Sequence, residues 1–525
     1  MTTPATTPST ATVGEAGRRI RRSNPPSIRK VKKRRRQHLL FHIVGLALAM
    51  CGAGILTSAV VEMIDGGPDV VELFATGFVT FGLGLFGWRF TKVPERIASL
   101  DVFATVAMTW VFIAAAGAVP YLITGTLTSI DDALFESVSG FTTTGATVLR
   151  PIEDASAGVL FWRSITQWLG GMGVIVLVVA VLPTMGSGGM DLLEAEAPGP
   201  TGERLTPRVA ETARRLWGLY IGFTVVLVGA YLAAGMSPYD AVAHSFTTVS
   251  SGGFSPYNAS IAEFESAAIE WIAIAAMFVA GTSFTLLFRL VRGRPGPLLS
   301  SIEFRIYVVI VVVATLVVFV AGDGPTRDID GFRQSAFVVM AIVTTTGYGL
   351  ADYTQWSQAA QAVILVLIPL GAMAGSTAGG VKMIRVLAIA SFAHRETMRQ
   401  LHPRLVRPVR IGNLVLDDRV ANKVVGFFVL ALAAFGGSGI LIALTGADLI
   451  TAFSAAATLF GNVGPGLGDV GPTEDFRNLA RPARWVGIGA MLLGRLEIYP
   501  ILLALMALPL GPVKRLWRRV IGVLG

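Results

Sequence analysis

Long apolar stretches, free of charge and separated by short polar turns, recur along this chain from about residue 39 onward. Four of them, Val102–Gly125, Leu216–Tyr239, Thr354–Val381 and Val424–Ala447, exceed the roughly 20 residues that a helix needs to cross a hydrocarbon core. The pattern predicts an N-terminal pair of spans over 39–63 and 69–90, joined by the Asp65-Gly66-Gly67-Pro68-Asp69 turn. Four units then follow, each an outer helix, a short amphipathic segment, a glycine-containing turn and an inner helix. The predicted helix pairs are 101–124 with 158–184, 213–236 with 266–289, 304–322 with 357–388, and 422–446 with 484–508. The expected fold is an all-α polytopic membrane protein with ten spans and four re-entrant segments. By region this gives a basic disordered tail (1–38), a transmembrane hairpin (39–98) and repeats over 99–190, 191–295, 296–400 and 401–525.

The turns carry the chemistry. They read Thr142-Thr143-Thr144-Gly145, Ser250-Ser251-Gly252-Gly253, Thr344-Thr345-Thr346-Gly347-Tyr348-Gly349 and Asn462-Val463-Gly464-Pro465-Gly466. Their first glycines lie 107, 95 and 117 residues apart, so the unit repeats about every hundred residues. The third copy nearly reproduces the T-V-G-Y-G filter of potassium channels, in which backbone carbonyls replace the hydration shell of the ion. Glycine reaches the backbone conformations that aim successive carbonyls at an axis, and hydroxyls add further hard oxygen ligands suited to alkali cations. The expected cation ligands are therefore Thr143, Thr144, Gly145, Ser250, Ser251, Gly252, Thr345, Thr346, Gly347, Asn462, Val463 and Gly464. Each turn follows a short segment (Asp132–Phe135, Asp240–His244, Phe332–Phe337, Asp448–Phe453), read as a pore helix whose C-terminal dipole favours a cation. Two spans and one re-entrant loop per unit give all four units one orientation. They can then surround a single pore with parallel pseudo-fourfold symmetry, unlike the inverted repeats of many carriers.

Composition agrees, at 53% hydrophobic, 15% charged and a mean hydropathy of +0.64. The net charge of +9 is local: residues 1–38 hold eleven of the 43 basic residues against Glu15 alone, so the remaining 32 basic and 33 acidic residues nearly cancel. That distribution indicates a tail attracted to anionic lipid headgroups rather than a nucleic-acid-binding surface. Cations concentrate in the predicted inner loops (Arg204, Arg208, Arg292, Arg395, Arg399, Lys514) and acids in the outer ones (Asp131, Glu153, Glu263, Asp328, Asp469, Glu474). A cytoplasmic N-terminus follows. The outer acids either concentrate cations at the mouth or serve solubility alone. The tail lacks the cleavage site of a signal peptide, and the one cysteine, Cys51, permits no intramolecular disulfide.

Two features below the turns suggest control. Gly371, Gly375, Gly379 and Gly380, with Ser376 and Thr377, interrupt the middle of an inner helix. Glycine costs about 1 kcal/mol in a helix interior, so the segment predicts a break serving as a mobile gate, with close small-residue packing as the alternative. Arg495 and Glu497 are the only charges between Trp485 and Val513. Two residues apart on a helix they face different ways, so Arg495 is expected in the conduction path and Glu497 paired elsewhere; a structural ion pair for Arg495 is the alternative. His38 and His42 have helical i,i+4 spacing without a third ligand and are read as interfacial, and His244 as pore-helix packing. No nucleophile-base set, P-loop or dinucleotide fingerprint points to an enzyme or a bound cofactor.

From about residue 39 onward the chain resembles the Trk/Ktr/HKT superfamily of cation transporters, and within it the TrkH branch. The resemblance is most specific at Asn462–Gly468, Met491–Ile498, Gly375–Lys382 and the segment from His402-Pro-Arg to Arg419-Val, with the N-terminal hairpin in addition. It implies potassium uptake across a bacterial inner membrane, a homodimer and a TrkA-like cytosolic nucleotide-binding regulatory subunit. It also implies that Gly371–Gly380 and Arg495 form the gate. Plant-type members that prefer sodium have Ser for the first filter glycine, whereas Gly145, Gly252, Gly347 and Gly464 are all glycine. The alternatives are the pore subunit of a potassium-pumping ATPase and a related sodium/potassium transporter. Coupling to sodium or protons is left open.

Overall fold

A computed structural model describes residues 28–92, 99–181, 209–321, 327–404, 406–412 and 414–507. It is predominantly helical. Helices α1 (Ile28–Asp65) and α2 (Val70–Phe90) form the N-terminal hairpin. Helix α1 takes in residues 28–38, which the sequence assigned to the disordered tail; Lys and Arg are good helix formers and extend the apolar helix backward. The rest of that tail lies outside the described residues. A buried carboxylate docks the hairpin. Glu62 accepts the Gly158 N–H at 2.6 Å and the Asp69 N–H at 3.2 Å, so its charge meets backbone donors that a helix start leaves unpaired.

The outer helices are α3 (Ser99–Ile123), α6 (Val209–Ala233), α10 (Ile302–Ala321) and α14 (Asp418–Ala443). The short helices are α4 (Ile130–Phe141), α7 (Pro238–Val249), α11 (Ile329–Val343) and α15 (Leu449–Gly461). All four start alike: Ser129, Ser237, Asp328 and Asp448 cap the first turn, accepting from Asp132, Asp240, Gly331 and Ile450 N–H groups respectively. Each therefore begins at a polar cap and ends, buried, at one of the four turns.

Inner helices diverge. Helix α5 (Ala157–Val181) is continuous. The second, expected whole over 266–289, is α8 (Ala267–Ala280) and α9 (Phe284–Val291), bent by 105°. Its break at Gly281–Ser283 exchanges backbone bonds with the glycine segment of the third unit: Met373 N–H donates to Gly281 O at 3.2 Å and Phe284 N–H to Gly375 O at 2.9 Å. The third is α12 (Gln358–Leu367), a loop, and α13 (Met383–Leu401). The loop is closed by a two-residue parallel bridge, β1 (Leu370–Gly371) to β2 (Val381–Lys382), with Leu370 opposite Val381. The fourth is α16 (Arg481–Arg495) and α17 (Ile498–Ala507), bent by 110°.

Among the described residues six helices are long and apolar enough to cross a membrane, or eight if each bent pair is one span. Ten were expected: α5 is not among the eight, and the third unit falls short because α12 stops after 10 residues at the glycine segment. Beyond α13, an antiparallel hairpin of β3 (Val409–Ile411) and β4 (Leu414–Leu416) packs Val409, Ile411 and Leu416 against Ile384, Ala388 and Val424.

Candidate ion-conduction site

Each short helix ends in the same hydrogen-bonded turn. Thr144 N–H donates to Ser139 O, Gly252 to Thr247 O, Thr346 to Ala341 O and Val463 to Thr458 O, at 2.8–2.9 Å. The preceding N–H groups bond three residues back: Thr143 to Gly140 O, Ser251 to Thr248 O, Thr345 to Ile342 O and Asn462 to Leu459 O. This is the Schellman ending, in which the residue after the helix is left-handed and usually glycine. Here it is Thr143 (φ 53°), Ser251 (56°), Thr345 (56°) or Asn462 (53°). A left-handed conformation costs a β-branched residue about 1–2 kcal/mol, so two threonines are strained where glycine would not be. Two residues after each comes a second left-handed position, and there glycine is required: Gly145 (78°), Gly253 (75°), Gly347 (71°) and Gly464 (105°).

These dihedrals correct the register of the second turn. The sequence aligned Ser250-Ser251-Gly252 with the other three, but the structural equivalents are Ser251-Gly252-Gly253, one residue later. With two adjacent glycines either register fits the composition, and the helix-ending hydrogen bonds decide. Ser250 is instead the counterpart of Thr142 and Thr344, its hydroxyl bonded back to Phe246 O at 2.7 Å.

The four turns interlock. A Cβ built on Gly145 would overlap the carbonyl oxygen of Gly252, one on Gly253 that of Thr346, and one on Gly347 that of Val463. One on Gly464 would lie 2.9 Å from Thr144 O. Each second glycine thus faces the middle carbonyl of the next unit, in the order first, second, third, fourth and back to first. The ring closes directly between Asn462 Nδ2 and Thr144 Oγ1 at 2.9 Å. On one side of it opens a mouth lined by Gly145, Gly253, Gly347 and Pro465 together with Glu474 and Asp475.

The glycine segment lies directly beneath. Gly379 N–H donates to Thr345 Oγ1 at 2.6 Å, and Thr377 Oγ1 is 2.9 Å from Ser251 Oγ. A Cβ on Gly379 would come 2.8 Å from Asn462 Cβ. Thr377 also donates to Val249 O or Ala280 O, and Ser376 Oγ to Met373 O at 2.6 Å. Gly375 and Gly380 are left-handed (74° and 66°), and Gly371 lies in the β1 bridge. The small residues thus form a loop beneath the ring, as expected from their helix-breaking cost, not a helix–helix seam. Three of the four left-handed residues therefore touch this loop, whereas Thr143 Oγ1 is buried without a hydrogen-bond partner.

Arg495 bridges this loop to α5, its Nη1 donating to Thr377 O at 3.1 Å and its Nη2 to Gly170 O at 3.3 Å. It is buried, and its hydrogen-bond partners among the described residues are carbonyls. Glu497 pairs with Arg385 at 2.6 Å. The separation of Arg495 and Glu497 does not come from positions on one helix, as the spacing suggested: α16 ends at Arg495, and Glu497 is left-handed at φ 56°.

Sequence reading passed over one buried pair. Arg163 Nε binds Glu136 Oε1 at 2.8 Å, and Arg163 Nη1 donates to Ser255 O at 3.0 Å. Glu136 also accepts from Thr147 Oγ1 and the Val148 N–H. Arg163 lies over the Phe254 ring at 4.1 Å. A lone arginine within a predicted inner span was the available signal. His42 faces the backbone of Thr91 across the hairpin, with Nδ1 3.1 Å from its carbonyl, and His244 is buried between Asp240 O and Ser255 Oγ.

Irregular backbone at membrane depth is tolerated where it lines a water-accessible path. A ring of such backbone, open above and covered below, defines a polytopic helical membrane protein of the cation-transporting class. The chain belongs to the TrkH family: the family model described as a cation transport protein matches residues 72–515. It is 38% identical over 475 residues to the Trk system potassium uptake protein TrkH of Vibrio parahaemolyticus serotype O3:K6, covering 89% of this chain and 98% of that one. It is 35% identical over 468 residues to TrkH of Escherichia coli K12, covering 88% and 96%. The crystal structure of the potassium transporter TrkH from Vibrio parahaemolyticus superposes with a TM-score of 0.80 at 35% identity, covering 90% of this chain and 98% of that one. The chain is accordingly a transporter and not an enzyme.

Proposed function

We propose that this chain takes up potassium through a channel-like pore whose selectivity filter is the ring of four turns. The observation that carries the reading is the left-handed residue ending each short helix. Glycine would relieve its strain, yet three of the four positions hold a hydroxyl residue and the fourth an asparagine. Strain kept at such a place marks a working position, and oxygens at the foot of a carbonyl ring can replace the hydration shell of an alkali cation. The potassium uptake named for the full-length relatives supports the same ion and favours uptake over service as the pore subunit of a pumping ATPase.

In this reading the Gly371–Gly380 loop is the gate, drawn in its shut form. Its contacts with Ser251 and Thr345 cover the lower face of the ring, and Arg495 holds it there while opposing cations by its charge. The distribution of cations among the loops supports a cytoplasmic N-terminus in a bacterial inner membrane. A homodimer and a cytosolic nucleotide-binding partner of the TrkA kind complete the proposal.

Expression in a bacterium lacking potassium uptake tests it. Growth at low external potassium is expected to be restored. Failure of both growth and rubidium uptake, with the protein present in the membrane, would reject the reading.

A further inference from the structure

We infer that Gln167, on α5, takes the place of the side chain that Gly252 lacks, and so sets the geometry of the second turn and the ion preference of the ring. This rests on the reading of the ring as a potassium filter. In the first and third units the middle residue of the turn is a threonine whose hydroxyl bonds that of the threonine two residues before it. Thr144 pairs with Thr142 at 2.7 Å and Thr346 with Thr344 at 2.8 Å. These bonds brace the turn from within.

The equivalent middle residue of the second unit is Gly252, which has no hydroxyl to offer Ser250. Gln167 occupies the space instead: a Cβ on Gly252 would overlap its amide and lie 2.9 Å from its Cγ. The amide grips the turn on both sides of the left-handed Gly253. Its Nε2 donates to Gly252 O at 2.7 Å, and its Oε1 accepts the Phe254 N–H at 3.0 Å. Gln167 is fully buried, and an amide has both the donor and the acceptor this needs. One turn earlier on the same face of α5, Arg163 holds Ser255 O, so the helix fastens the strand from 252 to 255 at three points.

The carbonyl held by Gln167 is the one that Gly145 faces, a member of the ring. One lone pair of Gly252 O is engaged behind the ring and one is left for an ion. Drawn back in this way, the oxygen keeps the cage wide enough for a large alkali cation. Released, it relaxes inward and suits a smaller one.

The test uses the full chain in proteoliposomes, with labelled rubidium and sodium as the probes. Gln167→Met keeps the bulk and removes both bonds. Rubidium uptake is expected to persist while the preference for rubidium over sodium falls about tenfold, the scale of one or two buried hydrogen bonds. An unchanged preference overturns the inference.

Gly252→Thr and the double variant Gly252→Thr/Gln167→Ala decide the matter independently, including where Gln167→Met does not assemble. The single variant collides with Gln167 and is expected to lose preference or activity. The double variant restores the hydroxyl pair with Ser250 and regains several-fold of the preference. A double variant no more selective than Gln167→Ala overturns the inference. Absence of rubidium uptake by the unsubstituted protein would reject the potassium reading as well, so the two failures are distinguishable.

Discussion

The ring of turns and the layer beneath it are built by opposite rules. In the ring three different sequences, Thr-Thr-Gly twice, Ser-Gly-Gly and Asn-Val-Gly, converge on one backbone: a left-handed residue and, two positions on, a left-handed glycine, with the same two hydrogen bonds behind them. In the layer below, each inner helix departs differently, by a continuous helix, a 105° bend, a glycine loop with a strand bridge, and a 110° bend. A carbonyl ring uses only main chain, so the four units keep common dihedrals while their side chains vary. The layer under the ring needs only one copy of each part, and one unit supplies the loop and another Arg495. On the proposed function, likeness marks the part that would handle the ion, and unlikeness the part that would regulate it.

The comparison breaks most sharply within one turn. Gly347→Ala puts a Cβ into the neighbouring carbonyl at a left-handed position and is expected to lower rubidium uptake by at least about a hundredfold. Gly349→Ala, two residues on, meets Ser260 Cβ at an ordinary 3.4 Å and is expected to keep most of it. Equal losses would deny the ring its special status. In the lower layer the sign reverses. Arg495→Ala removes the bridge between the loop and α5 and is expected to raise uptake without any cytosolic partner about tenfold; unchanged leakage would place Arg495 outside the gate. Thr377→Val keeps the shape but loses the contact with Ser251 and should raise the same leakage a few-fold. The smallest effect is expected of Glu497→Gln. Arg385 is buried and Glu497 partly exposed, but glutamine keeps an oxygen to accept from Arg385, which also lies over Phe427, so thermal unfolding in detergent should register no more than about 2 kcal/mol.

What the sequence disclosed follows the same division. Apolar length disclosed the outer helices, and glycine after a hydroxyl run disclosed three of the turns and after Asn462-Val463 the fourth, because both are matters of residue type. The one-residue slip at Ser251-Gly252-Gly253 and the left-handed state of Thr143 and Thr345 were hidden, since a dihedral imposed by helix-ending hydrogen bonds leaves no trace in a run of threonines. The break at Gly281–Ser283 was hidden because its hydrogen bonds are made by Gly375 and Met373 of another unit. Arg163 was visible as a charge in a span, but Gln167 was not, because its meaning depends on a side chain that Gly252 does not have.

The interlocking of the turns also bears on how such a protein is made safely. The first turn completes its contacts only with the fourth, through residues 318 positions apart in the chain. A nascent chain already threaded through the membrane, with three units in place, therefore holds an open arc and no closed ring. If the ring is the filter and Arg495 part of its gate, as proposed, ion-conducting geometry comes into being only when the last unit arrives together with that arginine, and synthesis interrupted earlier leaves the cell without a finished leak.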